Sequence, residues 1–256
     1  MPGVLCNQPT VSVGSLLRTY PHYGNITERF LRGKDSHYHS IQFKAERPMA
    51  HGVSFTFGYN YAREARDEFF NDIATYNKKF TMIDTREPRH YIRLAGTWEL
   101  PFGRGRQFAS NVNRWVDALI GGWATSHIFL WNNGPLLTFG QMVCDGNPKL
   151  DKPTLSRWFD TSKCREAEPY TPRTNPWYFD GLRGPGFWNW DATAVKYFRI
   201  TERVRFELRM EFFNFPNAFM PGQPNTSVTS ANFGKSTTMA GGNYGREVQY
   251  TGRIHF

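Results

Sequence analysis

The sequence predicts an all-β protein: an antiparallel, up-and-down transmembrane β-barrel segment of about seven to eight strands, the C-terminal part of a larger barrel, with long outer loops. Three observations predict it. Short runs alternate apolar and polar residues with period two, most cleanly in VRFELRMEFFNF. Aromatic residues make up 16% of the 256-residue chain, yet its mean hydropathy is only −0.57. The connections between runs alternate between short and long. A strand that shows lipid only every second side chain has a low average hydropathy. No stretch approaches the ~20 apolar residues of a membrane helix.

Residues 1–36 read as a poorly defined lead-in, and 37–256 as hairpin strands. MPGVLCNQPTVSVG lacks the basic start and apolar core of a secretory signal. If the barrel reading holds, the chain is expected to lack its true beginning. Within the lead-in, Val11 to Tyr20 is a candidate eighth strand.

In HSIQFKAER, Ile41, Phe43 and Ala45 oppose Gln42, Lys44 and Glu46. Pro48–Gly52 is a turn, with proline opening and glycine closing it. VSFTFGYNY then puts Val53, Phe55, Phe57, Tyr59 and Tyr61 on one face. After a long loop, Arg63–Arg89, HYIRLAGTWELPF sets Ile92, Leu94, Gly96, Trp98 and Leu100 against Arg93, Thr97 and Glu99. A medium connection, Gly103–Gly122, contains SNVNRWVDALIGG, which has room for one amphipathic turn of helix at the inner surface.

Trp123 to Phe139 is less regular but strand-like. The longest loop, Gln141–Phe187, follows. In Trp190 to Ile200 the alternation weakens, and a bulge near Lys196 would explain the phase slip. After the turn Thr201–Arg203, Val204, Phe206, Leu208, Met210 and Phe212 alternate with Arg205, Glu207, Arg209 and Glu211. A helix would smear those charges round its surface, whereas a strand sorts them. A last long loop, Pro221–Gly242, leads to the final strand. There Val248, Tyr250, Gly252, Ile254 and Phe256 share one face, and Gln249, Thr251, Arg253 and His255 the other. With Phe256 at the periplasmic rim, strand parity puts every long loop outside.

The polar face predicts a wet lumen lined by Lys44, Glu46, Arg93, Glu99, Arg205, Glu207, Arg209, Glu211 and Arg253. The formal charge of +9 is dispersed among glutamates with no dense basic run, which argues against nucleic acid as a partner and suits acidic lipid headgroups or an anionic solute. Cys144 and Cys164 fall in one outer loop, where an oxidising compartment favours a disulfide over two free thiols. Cys6 is expected to stay unpaired. None of the cysteines forms a Cys-x-x-Cys pair, and His37 and His39 read as a loop-edge pair, so no metal or other cofactor is expected. The glycine runs GRGR (Gly103, Gly105) and GLRGPG (Gly181 to Gly186) read as turns. No triad or carboxylate pair with supporting context appears, and no enzymatic activity is expected. Trp177, Tyr178, Trp188 and Trp190 read as an interfacial aromatic girdle, in preference to a stacking platform for a sugar or aromatic ligand.

The stretches HYHSIQFKAERPMAHGVSFTFGYNYAR, ELPFGRGRQF, LIGGW, CDGN, RWFDTSKC, LRGPGFWNWDATAVKYFRITERVRFELRMEFFNFPNAF, PNTS, ANFGK and the closing Phe256 resemble, in this order, the C-terminal part of TonB-dependent, Oar-like β-barrel proteins. These are outer-membrane receptors that often carry a carboxypeptidase-regulatory-like N-terminal domain. The resemblance implies a plugged barrel of roughly 22 strands that takes up a solute whose identity the sequence does not give. It implies a plug, a coupling box and most of the barrel upstream of Met1, with a TonB-type energy coupler acting on the plug. It also implies outer-membrane lipid as solvent, and assembly machinery that reads the last strand, Val248 to Phe256. Two other readings stand beside it. One is a self-contained eight-stranded barrel, an adhesin or structural protein, which needs Val11 to Tyr20 as a strand. The other is a soluble all-β module that binds glycan or nucleic acid.

Overall fold

The computed structural model describes residues 9–23, 26, 35–68, 81–85, 87–171, 173–240 and 245–256. Seven long strands follow one another in chain order: β1 Ser36–Ala50, β2 Val53–Glu68, β3 His90–Glu99, β4 Trp123–Asn132, β5 Phe187–Arg199, β6 Arg205–Phe213 and β7 Glu247–His255. Each pairs antiparallel with its chain neighbours, so the sheet is an up-and-down meander. A short strand, Thr81–Asp84, extends the path of β3 along the end of β2. The sheet is open among the described residues, with β1 and β7 as its edges. No described helix is long and apolar enough to cross a membrane.

The pairing register carries one apolar face through the sheet. Phe43, Tyr59, Ile92, Trp131 and Trp188 are successive partners. Nearer the other end, Val53, Trp98, Thr125, Ala194, Met210 and Tyr250 form another such row. A one-residue slip of β6 would turn Arg205, Glu207, Arg209 and Glu211 onto the apolar face, which in hydrocarbon costs ~2–4 kcal/mol for each Arg or Lys at the midplane. The 10 residues of β4, at ~3.3 Å each and tilted near 40°, cover about 25 Å, the height of the apolar band of a membrane barrel. β1 and β2 are longer, at 15 and 16 residues, and overshoot on the outer side. There the apolar row gives way to His39 and His37 on β1 and to Arg63 on β2, which marks the outer limit of the belt.

Two of the three inner connections are short. His51 and Gly52, with φ of 53° and 78°, make a two-residue turn between β1 and β2. Two positive φ values match the twist of the flanking strands. Ile200 and Thr201 close the β5–β6 turn by donating to the Val204 carbonyl. Between β3 and β4 lies the expected helical turn, Arg114–Ile120. The Asn113 side chain caps it by accepting from Val116 N at 2.9 Å.

Three expectations are corrected. Val11 to Tyr20 is not a strand: Val13–Leu16 is a helical turn, which we call α1 (making Arg114–Ile120 α2), capped by Ser12 accepting from Ser15 N. Val13, Leu16 and Leu17 fit the helical spacing better than period two. The fourth run stops at Asn132, not Phe139, because Leu136, Leu137 and Phe139 leave the sheet to be buried elsewhere. There is no bulge at Lys196, since the β5–β6 register runs unbroken from Ala192–Phe212 to Arg199–Arg205. Lys196 simply lies on the apolar face. Its Nζ donates to Gly121 O and sits over the rings of Trp123 and Phe198, 5.5 Å and 5.3 Å from their centres.

The largest buried core lies outside the sheet. Leu137, Phe139, Met142, Phe159, Cys164, Phe179 and Leu182 cluster in the β4–β5 loop. Trp158 of the same loop and Val228 and Phe233 of the β6–β7 loop pack against them, so two outer loops make one cap. Phe159 meets Phe139 and Phe233 edge-on, with ring centres 5.2 Å and 5.1 Å apart. Cys144 and Cys164 face each other across a short antiparallel ladder and are joined by a disulfide that spans 20 residues of sequence. Cys6 lies outside the described residues.

Candidate functional site

Two surfaces carry the polar chemistry: the polar face of the sheet, and the outer mouth where the cap meets the strand ends. Register puts Lys44, Glu46, Arg93, Glu99, Arg205, Glu207, Arg209, Glu211 and Arg253 on one face, opposite the apolar rows. Lys44 and Glu46 pair at 2.8 Å, and Arg106 of the inner connection reaches Glu99 at 3.2 Å. The Arg205 guanidinium lies over the Tyr197 ring at 5.5 Å.

Glu207 is the best-held charge on this face. Its side chain is 4% exposed and accepts from Arg209 at 3.0 Å and His255 at 2.9 Å. Arg209 also stands 4.0 Å from Glu211. Strand periodicity puts His255 on the polar face, but only the β6–β7 register reveals it as the diagonal neighbour of Glu207. A network of this kind makes a stiff wall patterned in both signs, able to hydrogen-bond a polar surface laid against it.

At the outer mouth, Asp84 anchors two arginines. Arg63 donates to it at 2.9 Å, and Arg89 pairs with its other oxygen. Arg183 of the cap completes the group by donating to Gly134 O at 2.9 Å and Glu87 O at 3.3 Å. Burial holds the Arg183 guanidinium below its ordinary value, and the like charge of Arg89 pushes the same way. A cavity of about 210 Å³ opens here, lined by Tyr38, Asn60, Arg63, Asp84, Arg89 and Tyr91 among others. A second cavity, of about 250 Å³, lies between Arg63, Met82 and Asp84 on one side and Leu136, Tyr178 and Asp180 on the other. Asn60 Oδ1 has no hydrogen-bond partner. The mouth thus presents guanidinium groups, carboxylates and phenols, which suits a polar solute. No periodicity in the sequence marks Arg63, Asp84, Arg89 and Arg183, because they come from three separate segments.

The glycines of GLRGPG serve the cap. A side chain on Gly134 would collide with the backbone at Gly184, and one on Gly184 would collide with Gln223. The two ends of the β4–β5 loop cross there at backbone contact, which only glycine permits, and the Gln223 side chain of the β6–β7 loop packs on Gly184. Arg173 and Asn175 brace the same fold. Arg173 donates to Phe139 O at 2.7 Å, and its guanidinium lies over Trp177 at 5.1 Å. Burial alone pulls the Arg173 guanidinium below its ordinary value. Asn175 accepts from Met142 N at 3.1 Å and donates to Gly140 O at 2.9 Å.

The four nominated aromatics separate into two pairs. Trp188 and Trp190 stand on the apolar face of β5, against Phe129 and against His127 with Phe215. Trp177 and Tyr178 belong to the cap, and Tyr178 lines the second cavity. They are close in the chain, but β5 begins only at Phe187 and carries the later pair away on a strand. On β7, Val248, Tyr250 and Ile254 project from the apolar face, and Phe256 at its end is 97% exposed. His37 and His39 are exposed at the outer end of β1. Among the described residues no three or more His, Cys, Asp or Glu side chains gather as a metal site requires.

A family model described as "Outer membrane beta barrel domain" matches residues 2–249. No curated protein and no solved structure matches the chain.

Proposed function

We propose, from the premise that this chain belongs to the outer membrane β-barrel domain family, that it forms part of the wall of a TonB-dependent transporter or receptor for solute uptake. The chain is an outer-membrane protein, and its apolar face meets lipid. The transport role is our reading, and the open sheet carries it. Unpaired backbone groups in hydrocarbon cost several kcal/mol each, and β1 and β7 expose such edges over 15 and 9 residues. In a seven-strand meander the first and last strands run in the same direction. They would meet parallel, against the antiparallel closure of up-and-down barrels. An arc completed by further strands avoids this, and a wide barrel accommodates a plug. The self-contained eight-stranded alternative loses its nominated closing strand, because Val11 to Tyr20 contains α1.

In this reading the polar face lines the lumen and grips a plug on which an energy coupler acts. The cap and mouth cavities receive the solute. The terminal β7, with Phe256 at the inner rim, is what the assembly machinery reads. The role is that of a binding and gating wall, and no residue is given catalytic work.

Cysteines at Lys44 and Thr251, on the two edge strands, test the arc in a chain refolded into detergent. An intramolecular cross-link would mean that the sheet closes on itself, and would overturn the reading. Uptake is tested genetically on a panel of limiting solutes. Loss of this protein and loss of the energy coupler should produce the same growth defect on the same solute, with no further loss in the double mutant. A defect independent of the coupler would sink the transport role.

A further inference from the structure

The connection between β3 and β4 does more than reverse the chain. In α2, Trp115 and Leu119 stand four residues apart, on one face of the helix. They are 82% and 74% exposed, and Val116 beside them is 37% exposed. Phe102 and Phe108 of the same connection stack against each other with ring centres 5.6 Å apart, and both stay exposed. So much apolar surface gathered on one short connection marks an interaction face.

Two side chains decide which side of the rim this face occupies. Trp123 of β4 and Lys196 of β5 are register partners on the apolar face of the sheet. Trp123 Nε1 donates to Leu119 O at 2.9 Å, and Lys196 Nζ donates to Gly121 O. Both carbonyls belong to the C-terminal end of α2, where the last carbonyls lack partners within the helix and a cation is favoured. The end of α2 is therefore fastened to the lipid side of the sheet, one side chain away from Trp123. That brings the exposed surface of α2 beside the sheet's lipid face. Arg104 and Arg114, both exposed, lie on the same connection and match the negative charge of phospholipid phosphates.

We propose that α2 is a membrane-surface anchor seated in the periplasmic leaflet. Trp115 and Leu119 enter the boundary between headgroups and acyl chains, Arg104 and Arg114 meet lipid phosphates, and Lys196 latches the helix to the wall. Helices of this kind sit about 5–10 Å into that boundary. The proposal rests on the outer-membrane family and the lipid face, and does not depend on transport.

The test uses the folded full chain, with Cys6→Ser, in vesicles of phosphatidylethanolamine and phosphatidylglycerol. Nitroxide labels are placed at Trp115→Cys, Leu119→Cys and, as an outer-loop control, Thr229→Cys. Heat-dependent gel mobility verifies that each variant is folded. Labels at 115 and 119 should collide more with oxygen than with a water-soluble nickel chelate, and the label at 229 should show the reverse. If 115 and 119 are as accessible to nickel as 229, or are shielded from both reagents by protein, the anchor is refuted. In the Lys196→Met background the labels should become more mobile while the barrel keeps its heat-dependent shift. Unchanged mobility there would refute the latch.

Discussion

Replacing Phe159 with alanine should open the cap and leave the sheet intact. Phe159 is fully buried, with 0% exposure, and meets Phe139 and Phe233 edge-on. Truncating a buried phenylalanine costs about 3–5 kcal/mol. The loss of two aromatic pairs, worth about 0.5–1.5 kcal/mol each, places this site at the upper end of that range. The Phe233 contact also joins the two outer loops, so the cavity falls at their seam. At about 1.4 kcal/mol per factor of ten, an upper-end cost of about 4–5 kcal/mol should raise the population of open caps by roughly 10³ or a few times more. No strand pair of the sheet involves Phe159 beyond the short Arg157–Phe159 ladder of the cap itself. Limited trypsin digestion in detergent reads the effect, because cleavage of a transiently opened segment tracks its open population. Cutting at Arg157, Lys163 and Arg165 should accelerate in proportion, while the heat-dependent mobility shift of the barrel persists. Unchanged cleavage would show that the buried cluster does not hold the cap closed. A lost mobility shift would show that cap and sheet fold as one unit.

Three further outcomes follow from the same geometry. Reducing Cys144–Cys164 removes a link across 20 residues, worth about 3 kcal/mol in the chain-entropy model, so hydrogen exchange in the cap should speed up by roughly a hundredfold with exchange in the strands unchanged. Glu207→Ala leaves Arg209 and His255 without their shared acceptor; both are partly exposed and can rehydrate, so the loss should be about 1–3 kcal/mol, read as a lower guanidinium midpoint in detergent. Asp160 is held below the usual carboxylate range, first by the Ser162 hydroxyl at 2.7 Å and then by Arg157 at 2.6 Å. A lowered folded value gives stability that is present above the ordinary value of about 3.9 and is lost as pH falls through the folded one. Protection of the Thr161–Lys163 turn should therefore drop below about pH 4 in the native chain and stay flat with pH in Asp160→Asn.

The strands were legible because lipid imposes a strict rule on single residues. Phe206, Leu208, Met210 and Phe212 alternate with charges, and β7 repeats the pattern opposite them. Lys196 shows the limit of that rule. Its polarity breaks the pattern although the period is intact, because its partner, Gly121 O, lies 75 positions away in sequence. Arg183 and Glu87 are 96 positions apart, and no local pattern announces such a pair. The cap escaped for the same reason. Phe139, Phe159, Phe179 and Phe233 are spaced irregularly and pack through turns, so neither a period of two nor one of 3.6 selects them. Val11 to Tyr20 failed differently, since three apolar residues at helical spacing among serines and a glycine are too short a run to outweigh a strand reading without the Ser12 cap.

The position of the core bears on how the mouth works. A sheet with lipid on one face cannot build a close-packed interior against that face, because hydrocarbon is its solvent there. The outer loops cannot borrow stability from it and must bury apolar surface in one another. The buried cluster of Phe139, Phe159 and Phe179, against which Val228 and Phe233 of the other loop pack, does this, with the Phe159–Phe233 pair across the two loops. The Gly134–Gly184 crossing then fixes where the β4–β5 loop returns, and that crossing positions Arg183, which donates to the Gly134 carbonyl. Arg183 meets Glu87 on the far side of the mouth, beside the Asp84 pair with Arg63 and Arg89. The buried phenylalanines thereby hold the cavity wall that a solute would touch. If so, a ligand that bridges Arg183 and Asp84 would slow exchange at Phe159 without contacting it, and Phe159→Ala would weaken that ligand's binding by the population it shifts to the open form.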